Sequence, residues 1–131
     1  MNTDVLRRRL RAAYPRHRHL LTFAWRVANE WSGVPATGFC YIAAEAAFYL
    51  LGGKAAGWVP YCATDWVGPR RDVRATHWWL EHPASGRRFD PTVEQFTARR
   101  LTPPYHLGRG CGFLTKAPSR RAAALITFIE S

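Results

Sequence analysis

Residues 40–51, CYIAAEAAFYLL, are apolar or small on nearly every side, so a helix built from them has no face to give to water. TG precedes the run and GG at 52–53 stops it, and the spacing of Ile42, Ala43, Ala46, Ala47, Leu50 and Leu51 predicts a helix over about 39–51. Such a helix must be central, with the rest of the chain closing around it. After Gly57 the texture becomes strand-like: WVPYCATDWV, then VRATHWWLEH, then RRFDPT. PASG, between the second and third, has the chemistry of a hairpin loop.

The flanks supply the covering elements. Residues 3–13 predict an amphipathic helix with Val5, Leu6 and Leu10 opposed by arginines and Pro15 as its stop. A second helix is expected over 17–31, where Leu20, Leu21, Ala24, Val27, Ala28 and Trp31 recur at helical spacing, before SGVPATG forms a loop. A short helix in VEQFTARR follows the Pro91–Thr92 turn, LTPPYHLGRGCG is a loop, and PSRRAAALITFIE closes the chain as a helix. Helices first, then an antiparallel sheet, then more helix is an α+β order. At 131 residues the chain reads as one domain, with a helical part over 1–36, a core over 37–100 and a loop with a C-terminal helix over 101–131.

Charge and cysteine usage bound the partners. The net charge is +10, and seven arginines (7, 8, 9, 11, 16, 18 and 26) crowd the first 26 residues, a patch that could meet nucleic acid or another polyanion. The excess is also spread along the chain and lacks the interleaved aromatics of an RNA-binding module. No apolar run approaches the roughly 20 residues of a membrane span, and no secretory leader is evident, so neither a membrane role nor export is expected. Cys40, Cys62 and Cys111 are odd in number and far apart, which predicts no disulfide framework and a cytoplasmic protein. They and the histidines show neither C-x-x-C nor H-x-x-x-H spacing, so no metal is expected. GRGCG at 108–112 lacks the lysine and hydroxyl of a phosphate loop, and no cofactor is expected.

The chemistry concentrates on three residues. Cys40 follows Gly38 at the start of the central helix, where free backbone N–H groups and the positive end of the helix dipole favour a thiolate. His77 lies in ATHWWLEH, and Asp90 opens DPT. A four-residue loop at Pro83–Gly86 pairs His82 with Arg87, which makes Asp90 the diagonal neighbour of His77 on one face. A carboxylate there fixes the imidazole tautomer and stabilises its protonated form.

TGFCYIAAEAAFYLLGGKAAGW followed by THWWLEHPASGRRFDPT resembles the core of the transglutaminase-like branch of the papain-like cysteine enzymes. The resemblance spans about 50 residues and rests on the helix-start Cys, the H-x-W and the D-P-T in that order. It departs at Tyr41, where the family often has tryptophan, and residues 104–121 have no counterpart in it. It implies a papain-like (transglutaminase-like) core, in which the helix that the Cys begins packs on a small antiparallel sheet. It further implies Cys40 as nucleophile, His77 as general base and acid, and Asp90 as the residue orienting His77. The expected activity is a cysteine-dependent hydrolase or acyltransferase acting on an amide or peptide-type bond of a protein or peptide substrate, through a thioester. Trp78, Trp79, Tyr41 and Trp31 are the candidate substrate-binding residues, with Trp31 also a candidate second oxyanion donor beside the Cys40 N–H. The alternative is a basic nucleic-acid- or protein-binding module on the same fold with an inactive triad. Both readings leave the oligomeric state open.

Overall fold

A computed structural model describes residues 1–67 and 74–131. Its described residues form an α+β arrangement of five α-helices and one four-stranded antiparallel sheet. The helices are α1 (Thr3–Ala13), α2 (Phe23–Ser32), α3 (Cys40–Leu50), α4 (Glu94–Thr97) and α5 (Arg120–Glu130). The strands are β1 (Val59–Val67), β2 (Arg74–His82), β3 (Arg87–Phe89) and β4 (Arg109–Gly110), in the order β3-β2-β1-β4. The expected first residue of the second strand, Val73, lies outside the described residues.

The apolar run is central. Ile42 through Ala47 of α3 are all buried, and α3 packs on β2 and on α5. Small side chains on this helix let its neighbours approach closely, and Leu80 and Phe89 from the sheet, with Trp58 just before β1, fill the same core as Leu6 and Leu10 of α1 and Leu125 of α5. Within α1, Leu6, Leu10 and Ala13 form the buried stripe, and Asn2 caps its start by accepting a hydrogen bond from the Val5 N–H at 2.8 Å.

Two expectations are corrected. The helix expected over 17–31 begins only at Phe23, because residues 18–20 form a 3₁₀ turn and Leu21 is extended and buried in the core. The apolar residues of α2 then face outward: Phe23, Trp25, Val27 and Trp31 are exposed, and its buried residue is Asn29. The Asn29 amide donates to the carbonyls of Pro35 and Thr37 and so folds the following loop back onto the helix.

The second correction concerns the cysteines. Cys62 and Cys111 form a disulfide, with Cα atoms 5.9 Å apart. The pairing of Cys62 with Arg109 in the β1–β4 ladder brings Cys111 to this edge, and its N–H donates to the Pro60 carbonyl at 2.9 Å. A partner 49 residues away is invisible in the spacing, and the argument from cysteine pattern to a cytoplasmic protein loses its support. Among the described residues no helix is long and apolar enough to cross a membrane.

Candidate active site

The loop between α2 and α3 sets the position of Cys40. Gly38 has φ +89°, a left-handed backbone that turns the chain into α3, and a Cβ there would stand 3.1 Å from Trp25 Cβ. Cys40 is the first residue of α3, and no side chain caps this end. Its thiol is free, partly exposed, and directed at the Thr76 carbonyl at 3.5 Å. The next residue on β2 is His77, whose imidazole feels the neighbouring Cys40 side chain.

The β2–β3 hairpin places the third group. His82 pairs with Arg87 across the Pro83–Gly86 loop, and the ladder runs through Glu81–Arg88 to Leu80–Phe89. β3 ends there, and Asp90 turns back under β2 so that His77 Nε2–H donates to Asp90 Oδ2 at 2.7 Å. Both side chains are almost fully buried. The carboxylate also takes the Thr92 N–H on Oδ1 at 3.1 Å and the Tyr105 hydroxyl on Oδ2 at 2.7 Å. From α1, Arg7 donates to the Asp90 carbonyl and Tyr14 to the Pro91 carbonyl, each at 2.7 Å, which holds the turn in place.

Nε2 is committed to Asp90, which leaves Nδ1 to be shared between Gln95 and any proton exchanged with the thiol. Burial lowers the affinity of His77 for its proton, but the hydrogen bonds and charges of Asp90 and Cys40 outweigh it and raise His77 to about 9. A ring so placed holds its proton at neutral pH. Gln95 was not legible in the sequence as part of this set. Its Nε2 lies 3.2 Å from His77 Nδ1 and donates to Thr92 Oγ1 at 3.0 Å. The one available signal was its spacing three residues beyond Thr92, in the turn that leads into α4. Tyr105 carried no sequence signal at all, since it lies fifteen residues beyond Asp90 in a loop.

Beside Cys40 is a cavity of about 390 Å³. Tyr41 and Ile42 of α3, Trp78 of β2, and Leu21 and Trp25 give it an apolar, largely aromatic wall. Of the candidate substrate-binding residues, Tyr41 and Trp78 line this cleft, their rings edge to face at 4.9 Å. Trp79 does not. Alternation along β2 puts it on the face of His77, fully buried, stacked on the imidazole at 5.5 Å with its Nε1–H on Glu81. Gly108 presses so closely on it that a Cβ there would come within 2.4 Å of the indole. Trp31 is also elsewhere, 87% exposed beside Ala24, Val27, Ala28 and Arg99. Six residues beyond Trp25, it points about 240° away around the helix.

The segment left unassigned by the sequence, 104–121, straps the site together. Tyr105 reaches Asp90, Phe113 stacks on Trp78 at 5.5 Å, and the Leu114 N–H donates to the Tyr41 hydroxyl at 2.8 Å. Ser119, the cap of α5, donates its N–H and hydroxyl to the buried carboxylate of Glu45 on α3, at 2.6 and 2.8 Å.

The N-terminal arginines are mostly engaged within the fold. Arg7 and Arg9 donate to the Asp90 and Ile129 carbonyls, Arg11 pairs with Glu94, Arg16 lies over Phe128, and Arg18 pairs with Glu30. Among the described residues no group of three or more His, Cys, Asp or Glu side chains is arranged to hold a metal ion.

The fold and the site together define an α+β protein with a helix-start thiol beside a buried, hydrogen-bonded histidine–aspartate pair and an apolar cleft. No protein-family model, curated protein or solved structure matches the chain.

Proposed function

We propose that this protein is a cysteine-dependent hydrolase or acyltransferase of the transglutaminase-like, papain-like type, acting on an amide or peptide-type bond. The observation that carries the reading is the Cys40 thiol set beside the hydrogen-bonded His77–Asp90 pair, with a cavity at the sulfur. A helix that starts with the thiol and packs on the strand bearing the histidine supports the papain-like assignment.

The chemistry follows from the geometry. His77 Nδ1 takes the thiol proton while Asp90 holds the Nε2–H. The thiolate Sγ attacks the carbonyl carbon, and the C=O electron pair moves to an oxyanion facing the Cys40 N–H at the uncapped end of α3. The C=O bond re-forms, the C–N bond breaks, and the amine leaves with the proton from Nδ1. Water then attacks the thioester, giving its proton to Nδ1, and the acid departs as Sγ regains its proton. An amine in place of water yields a new amide instead.

With most N-terminal arginines engaged within the fold, the nucleic-acid-binding reading takes second place. Compartment is read from the thiols: an oxidising location keeps Cys62 and Cys111 joined, whereas a cytoplasmic one leaves three titratable thiols.

The test is the rate of iodoacetamide alkylation at Cys40 against pH, in the wild type and in His77→Ala. Rapid labelling at neutral pH that drops by at least tenfold in the variant supports a thiolate–imidazolium pair. Equal rates in the two proteins sink the reading.

A further inference from the structure

Resting on that reading, we propose that the substrate of the Cys40 site carries an apolar or aromatic group together with a carboxylate, and that Arg121 recognises the carboxylate. The cleft wall is apolar and aromatic, and the described residues lining it include no Asp or Glu. Among the described residues its one charged lining residue is Arg121, in the first turn of α5. Among the described residues this guanidinium has neither a hydrogen bond nor an ion pair, unlike those of Arg7, Arg9, Arg11, Arg18, Arg87 and Arg88. A planar fork of five donors left open at the rim of an apolar cleft matches a carboxylate by charge and geometry.

The placement is also built. Ser119 caps α5 two residues before Arg121, and both its N–H and its hydroxyl are held by Glu45. Glu45 is fully buried and belongs to the helix that begins with Cys40. The helix bearing the thiol thereby fixes the start of the helix bearing the cation. A cationic substrate would meet Arg121 with no carboxylate among the described lining residues to offset it, on a chain of net charge +10.

Two paired measurements test this. Alkylation of Cys40 by iodoacetate and by iodoacetamide, followed by mass mapping of the Cys40 peptide, gives an anion-to-neutral rate ratio independent of turnover. Hydrolysis of p-nitrophenyl phenylacetate and of its para-carboxy and para-trimethylammonium analogues gives the same comparison in kcat/KM. The wild type is expected to favour the anionic member of each pair relative to a free thiol. That preference should fall about three- to tenfold in Arg121→Gln, return in Arg121→Lys and weaken in 0.5 M salt. If Cys40 reacts readily but the ratios are unchanged in a folded Arg121→Gln, the carboxylate assignment is wrong while the catalytic reading stands. Preference for the cationic ester overturns it equally. A Cys40 inert to every reagent at neutral pH removes both.

Discussion

Tyr105 donates its hydroxyl to Oδ2 of Asp90 at 2.7 Å, on the same oxygen that receives the Nε2–H of His77. The loop bearing Tyr105 therefore acts on the imidazole through a shared acceptor. Burial and the neighbouring Asp90 charge hold the phenol well above its ordinary value, so it remains a donor throughout the range in which His77 titrates. A neutral donor on the carboxylate disperses its charge and weakens its hold on the protonated ring.

Tyr105→Phe should therefore do two separable things. Losing one hydrogen bond to a charged acceptor should cost about 1–2 kcal/mol in urea unfolding. With its charge less shared, Asp90 should pull harder on His77, and the alkaline limit of Cys40 alkylation should move to higher pH. A limit that moves down, or does not move, would show that Tyr105 supports the fold alone.

The raised His77 also makes stability depend on pH, with a definite sign. Its folded value of about 9 lies above the unfolded value of 6.5, so the protonated ring binds more tightly in the native state. The contribution is complete below about pH 6.5 and is lost as pH rises through about 9. At about 1.4 kcal/mol per unit it amounts to about 3 kcal/mol. Urea unfolding at pH 6 and pH 9.5 should show this loss in the wild type and a much smaller one in His77→Gln. Parallel losses in both proteins would assign the effect to other groups.

The Cys62–Cys111 bond closes a loop of 49 residues that contains β2, β3 and α4, and hence His77 and Asp90. In the chain-entropy account such a loop contributes about 4 kcal/mol. The Cys62→Ala/Cys111→Ala pair should lower the urea midpoint accordingly, with little change in Cys40 labelling below the transition. Thiol titration of the unfolded, unreduced protein should count one thiol, Cys40. Three thiols in protein purified without reductant would show that the bond does not form.

Much of the framework was legible because it is local. The all-round apolarity of residues 42–47 forced α3 to the centre, since a helix without a polar face has nowhere else to go. The loop length at Pro83–Gly86 fixed the His82–Arg87 register, and with it the proximity of His77 and Asp90, because side chains alternate strictly along a strand. The helix-start position of Cys40 was readable from the glycine before it and the periodicity after it.

What the sequence could not decide was contact between distant segments. Trp79 matched a pattern and proved to be packing behind His77, whereas Trp25 and Arg121, which no motif marks, line the cleft. The apolar spacing of α2 pointed inward on paper, yet the turn at residues 18–20 rotated that face to the surface. Tyr105, Gln95, the Glu45–Ser119 cap and the Cys62–Cys111 bond all join residues through side-chain geometry set by the whole fold. Periodicity reports how one element divides between core and water. Which residues then meet across elements depends on packing, and packing exists only in the assembled tertiary structure.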